Sequence, residues 1–192
     1  MTEKILKINT EAQAATTYEL YELVKATDKI MKTPTQKIDF DNPPEELTHL
    51  AMSMFHTMFH YKGLGLSANQ VGKPYSVFTV GFDNENKQIF FNPEIVAVSP
   101  NDSVHVEGCL SYPGLFLNVK RPEWVIISWQ HIDGKKNQMR YEGLTARVIQ
   151  HEMDHIMGTN FTKKVGKTQL LLAKEKRDKL MKAANRAKKN PA

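Results

Sequence analysis

One cysteine in 192 residues leaves no internal disulfide to be made, so nothing calls for an oxidising compartment and the thiol of Cys109 needs another explanation. Long apolar runs are missing as well: no segment approaches the roughly eighteen apolar residues of a membrane span. The stretch MTEKILKINTEAQAATTYEL has no apolar block followed by small residues, so neither export nor membrane insertion is expected and a cytoplasmic location follows. Internal repeats and low-complexity tracts are absent. What is present, 41% apolar and 24% charged residues, lies close to globular averages and excludes collagen-like or disordered chains. The length suits one domain with a single substantial core.

The net charge of +5 is unevenly spread. Lys163 to Lys189 holds eleven Lys and Arg against Glu175 and Asp178, leaving the remainder slightly acidic. The sequence predicts an extension over 1–20, a body over 21–162, and a basic helix and tail over 163–192 belonging to the same domain. KTPTQKIDFDNPP reads as extended chain and turns. After Pro44, Leu47, Leu50, Ala51, Met54, Phe55, Met58 and Phe59 recur at three and four, predicting a helix that Gly63 ends. His56 and His60 fall off its stripe and read as ordinary exposed histidines. YSVFTVGF and IFFNPEIVAVS flank the polar turn DNENKQ as a hairpin, and NVKRPEWVIISWQHI pairs with QMRYEG across Asp133-Gly134.

GLTARVIQHEMDHIMG forms a helix that Gly158 can terminate. On it Val148, His151, Glu152 and His155 share one side, with Ile149, Met153 and Ile156 beside them, so the histidines point inward. Two inward imidazoles one turn apart can chelate one metal ion, and the adjacent Glu reaches a water on it as proton acceptor. A buried hydrogen-bonded histidine pair is the bland alternative, and the complete His-Glu-x-x-His pattern weighs against it. A third ligand is needed. Phe161 stands where a metzincin has its third His and cannot bind metal. Glu175, in a lysine-rich context better suited to a solvated face, and Cys109, in VEGCLSYPG, remain as candidates. A ligating cysteine would be held as thiolate, although a lone thiol is more often a small buried hydrophobe.

Three segments, GLGLSANQ from Gly63, EGCLS from Glu107 and QHEMDH from Gln150, together resemble the peptide deformylase family in order, spacing and residue type over roughly Tyr21 to Lys189. The resemblance implies an α+β fold with antiparallel β-sheets around a central metal-binding helix, a long helix in the N-terminal half and a basic C-terminal helix. It implies hydrolytic removal of the formyl group from the N-formylmethionine of nascent peptides, releasing formate. Cys109, His151 and His155 would then hold one divalent ion, Fe(II) in the cell, with Zn(II), Ni(II) or Co(II) able to fit. Glu152 would move the proton, and the Gln70 amide and Leu110 backbone N–H would stabilise the charge developing on the formyl oxygen.

By the same resemblance Gly63, Leu64, Gly65, Glu107, Gly108, Leu144 and Val148 line the substrate site, with Leu64, Leu144 and Val148 equally readable as simple core. Glu107 and Asp154 are candidates to orient ligands or to pair with Arg121 or Arg147. Ser67 and Arg147 depart from the family pattern: the first adds a hydroxyl near Gln70, the second sets a charge where an apolar residue is expected near the methionine pocket. The tail carries a thin apolar stripe at Leu170, Ala173, Leu180, Met181 and Ala184, usually the mark of a solvated helix, yet its charge also suits ribosomal RNA. No specific DNA target is expected. A different metallopeptidase, or a basic ribosome-binding module with a structural metal, are the rival readings.

Overall fold

The computed structural model describes residues 18–189. The extension expected over 1–20 therefore lies outside the described residues but for its last three. Three helices, α1 (Leu47–His60), α2 (Gly143–Ile156) and α3 (Lys167–Lys189), accompany seven strands: β1 (Gly65–Ser67), β2 (Val77–Gly81), β3 (Lys87–Val98), β4 (Asp102–Glu107), β5 (Leu117–Pro122), β6 (Trp124–Gln130) and β7 (Lys136–Glu142). They form a five-stranded antiparallel sheet in the order β1-β2-β3-β6-β7 and a two-stranded antiparallel sheet of β4 and β5. Among the described residues no helix is long and apolar enough to cross a membrane.

The strand period of two explains how the large sheet serves two helices. Phe91 and Val77 join the cluster of Leu50, Met54 and Met58 from α1. Phe90, Phe78 and Val80 turn the other way and join Val148, Ile149 and Met153 from α2. With helices on both faces, all five residues of β2 are buried. β7 is an edge strand with no buried residue, as its polar sequence KNQMRYE allows.

Three expectations change. The helix α1 ends before Gly63: Lys62 takes the left-handed conformation (φ 57°), and the Lys62 and Gly63 N–H groups donate back to Phe59 and Met58. Gly63 is needed for another reason, since a Cβ there would sit 2.7 Å from Leu110 Cδ1. The run NVKRPEWVIISWQHI is two strands in two sheets. Pro122 has no N–H to continue a ladder, and Glu123 bonds elsewhere, its N–H to Asn101 O and its carbonyl to Gly143 N–H. The partner of β5 is β4, whose polar sequence DSVHVE gave no strand signal. Finally, the stripe of α3 is covered only at its start: Leu170 and Ala173 pack on Leu115, Leu117 and Phe161, whereas Leu180 and Met181 are exposed.

Candidate metal centre

Helix α2 begins at Gly143, left-handed at φ 58°, and stops at Gly158, also left-handed at φ 71°. The Gly158 N–H donates to His155 O and the Thr159 N–H to Asp154 O, the paired closure that satisfies the last carbonyls of a helix. A Cβ at Gly158 would lie 2.8 to 2.9 Å from backbone atoms of Lys32, Thr33 and Pro34, so the stop is also a packing contact. Between these ends every residue from Ala146 to Ile156 is buried.

On that helix the His151 and His155 rings stand 5.2 Å apart. Cys109, in the loop after β4, brings its Sγ to 3.2 Å from His155 Nε2. The sulfur and the two imidazole nitrogens all lie within 4.8 Å of one another, the one such cluster among the described residues. Glu175, the other candidate ligand, is exposed on α3. A soft sulfur with two imidazoles, largely shut from water, is a donor set suited to a first-row divalent ion.

Glu152 is 3% exposed, and its Oε2 has no hydrogen-bond partner. Burial pushes its carboxyl up to about 7 against the pull of the His151 and Arg121 charges. A Cβ at Gly65 would come within 2.5 Å of Glu152 Oε1 and 2.7 Å of Val148 Cγ1, so only glycine lets β1 run this close to the acid. Burial, then the positive charges of His151 and Arg121, hold His155 well below the ordinary imidazole range. For His151 burial opposes protonation, but Cys109, Glu107 and Glu152 outweigh it and lift the ring to about 10. A bound cation would displace that proton, because a ligating imidazole must be neutral.

Gln70 closes a short 3₁₀ turn, Ala68–Val71, and its orientation is fixed from both ends. Its Oε1 accepts from the Ser67 N–H and Oγ, each at 2.9 Å, while its Nε2 donates to Ser111 Oγ at 3.1 Å and lies 3.6 Å from Cys109 Sγ. The hydroxyl anticipated from Ser67 is thus on the amide oxygen. Asn69 Nδ2 donates to the His155 carbonyl at 2.6 Å.

Behind the cluster lies a buried charge network. Glu107 Oε2 accepts from His151 Nδ1 at 3.0 Å and from Arg121 Nη2 at 2.9 Å, and its Oε1 accepts from Arg121 Nε at 2.6 Å and Arg147 Nη1 at 2.9 Å. Asp154 meets Arg121 at 3.0 Å and Lys164 at 2.9 Å. Burial alone would raise the Glu107 carboxyl, but Arg121 and His151 hold it down at about 2. Of the pairs left open by the sequence, Glu107 therefore takes both arginines and Asp154 takes Arg121.

A cleft of about 570 Å³ opens onto the cluster. Gly63, Leu64, Gly65, Gln70, Glu107, Gly108, Cys109, Leu110, Leu144, Val148, His151 and Glu152 all line it, and His155 is buried behind them. Leu64 and Leu144 are 40% and 55% exposed, so they are cleft residues rather than core. Sequence reasoning missed Ser111, Val106 and Phe116; the last two are exposed apolar side chains of the rim, Val106 on β4, which would first have had to be recognised as a strand, and Phe116 just before β5.

The sequence model of the family described as polypeptide deformylase matches residues 20–170. A peptide deformylase from Novosphingobium aromaticivorans is 33% identical over 189 residues, covering 86% of this chain and 98% of that protein. Among solved structures, a peptide deformylase from Legionella pneumophila superposes with a TM-score of 0.78 at 29% identity, covering 88% of this chain and 99% of its own. A class I type b peptide deformylase from Acinetobacter baumannii, bound to Met-Ala-Ser, gives 0.73 at 27% identity over 78% of this chain and all of its own.

Proposed function

The chain belongs to the peptide deformylase family, hydrolases that remove the formyl group from N-formylmethionine at the start of new polypeptides, and on that footing we propose which of its residues perform the reaction. The convergence of Cys109, His151 and His155 is the observation that carries the assignment. These three hold the ion, with Fe(II) as the cellular metal and Zn(II), Ni(II) or Co(II) fitting the same donors. When bound, a divalent ion supplies Lewis acidity, lowering the pKa of a water from 15.7 toward roughly 7.

Glu152 accepts the proton of the attacking water and delivers it to the departing amine. The burial of Glu152 and its oxygen without a hydrogen-bond partner leave it free to take up and release that proton. The Gln70 amide N–H, fixed in direction by Ser67, and the Leu110 backbone N–H steady the charge that develops on the formyl oxygen. β1 hydrogen-bonds to β2 on one side only, and its other edge is available for a peptide to join as an added strand. Such pairing does not depend on side chains, which suits an enzyme acting on many sequences. Leu64, Leu144 and Val148 receive the methionine side chain.

We take 21–162 as the catalytic body and 163–192 as a basic helix and tail of the same domain, a reading favoured by the packing of Leu170 and Ala173 on Leu115, Leu117 and Phe161, and the lone cysteine suits the cytoplasm. The exposed Lys and Arg of α3 favour docking on ribosomal RNA. Formate release from formyl-Met-Ala-Ser, measured with the metal content of Cys109→Ala, tests the assignment: the native chain should release formate and the variant should lose its ion. A variant that keeps a full complement of metal would return the third ligand to another residue, as in a peptidase.

A further inference from the structure

One charged side chain in the cleft wall has no part in the proposed reaction. Arg147 stands one turn before His151 on α2 and is 6% exposed. Its Nη1 donates to Glu107 Oε1 and to the Val119 carbonyl, both at 2.9 Å. Its Nη2 donates to the Ser103 carbonyl at 2.9 Å and the Ser103 hydroxyl at 3.0 Å. Ser103 and Glu107 lie on β4 and Val119 on β5, so one guanidinium from α2 grips the backbone of both strands of the small sheet.

That grip joins the two sources of metal donors. Glu107 uses its other oxygen to hold His151 Nδ1, and Cys109 follows Glu107 by two residues. The sulfur therefore hangs from β4 and the imidazoles from α2, and these elements meet through Glu107 and Arg147. Arg121 binds Glu107 and Asp154 through side chains alone, whereas Arg147 holds main-chain carbonyls and so responds to where the strands are.

Resting on the site assignment above, we propose that Arg147 is a positioning residue that sets the separation of Cys109 from the two imidazoles by locking β4 and β5 onto α2 through Glu107. Loss of an outer contact of this kind typically weakens metal binding about 10–100-fold. The test uses the Co(II)-loaded enzyme, following metal release to a chelator and the visible absorption of the ion. Arg147→Met should speed release by roughly that factor and shift the absorption, and Arg147→Lys, which keeps the charge without the fork, should fall between. If Arg147→Met does not fold, Arg147→Lys carries the comparison.

In a Glu107→Gln background, Arg147→Met should add little, because the two act as one unit. Unchanged release and absorption alongside a lowered Tm would make Arg147 a merely structural residue and overturn the inference, as would full additivity with Glu107→Gln. Cys109→Ala separates the two levels of argument. Retention of the ion by that variant defeats the site assignment; loss of the ion with Arg147→Met and Arg147→Lys behaving as native defeats only the positioning role.

Discussion

Helices α2 and α3 sit close together in the chain, and both carry charged side chains, but to opposite ends. From Ala146 to Ile156 α2 is buried throughout, including Arg147, Glu152 and Asp154. On α3 every residue from Asp178 to Arg186 is exposed. A buried charge costs several kcal/mol unless it is paired, so the charges of α2 have been given partners on two strands, β4 and β5, and a loop. Glu152 is the exception, an acid with one oxygen left without a partner at the head of the cleft. Solvated charge on α3 needs no partner within the chain and stays free to meet another molecule. The difference teaches that in this protein buried charge is bound into a network within the fold, and exposed charge is left to solvent.

The contrast can be broken or sharpened by substitution. The largest effect is expected at Glu152: Glu152→Gln should lower turnover on the order of 10²–10⁴-fold while metal content, read by elemental analysis, stays unchanged. Next comes Arg121→Leu, which leaves Glu107 and Asp154 facing each other without their shared cation and should cost about 3–5 kcal/mol in denaturant unfolding. A cost below about 1 kcal/mol would show that the network is not an interior one. Gln70→Leu should remove about 3 kcal/mol of transition-state stabilisation, seen as lower kcat with the metal retained; an unchanged kcat would refute the role.

The acid limb of stability gives a subtler measure. Glu107 titrates at about 2 in the fold against an ordinary value of 4.5, so its contribution is fully present above about 4.5 and is lost as pH falls toward 2. Urea unfolding followed from pH 6 to 3 should decline over that window, and more shallowly in Glu107→Gln. The smallest effect is expected on α3. Reversing Lys179, Lys182 and Arg186 to Glu should change stability by no more than about 0.5 kcal/mol each and leave hydrolysis of a tripeptide intact, while ribosome co-sedimentation falls. Equal loss of both would erase the distinction between the helices.

Much of this arrangement was legible beforehand, for reasons that differ by residue. The helix α2 announces itself through a 3.6-residue pattern with a glycine stop, and the hairpin of β2 and β3 through alternating apolar residues around a polar turn. Cys109 was legible only through the company of EGCLS, because spacing along the chain cannot show that a loop after β4 folds back onto α2. Strand β4 escaped because its less exposed positions are Ser103 and Glu107, polar residues bonded to Arg147 instead of packed in a core, while Val104, His105 and Val106 are exposed. At Arg147 the family pattern leads one to expect an apolar residue beside the methionine pocket; the fold accommodates the charge by pairing it with Glu107, one of the partners the sequence leaves open. The stripe on α3 was overextended because periodicity shows which side of a helix is apolar and not how far its support reaches.

The glycine stop of α2 has a last consequence. It abuts the backbone of Lys32, Thr33 and Pro34, and Thr35 reaches across 121 positions to bond the Ile156 carbonyl through both its N–H and its hydroxyl. Closing so wide a circuit is slow to find and depends on the intervening chain having already collapsed. The histidine pair is thus no portable cassette: a synthetic peptide spanning it would inherit the letters of the motif without its geometry.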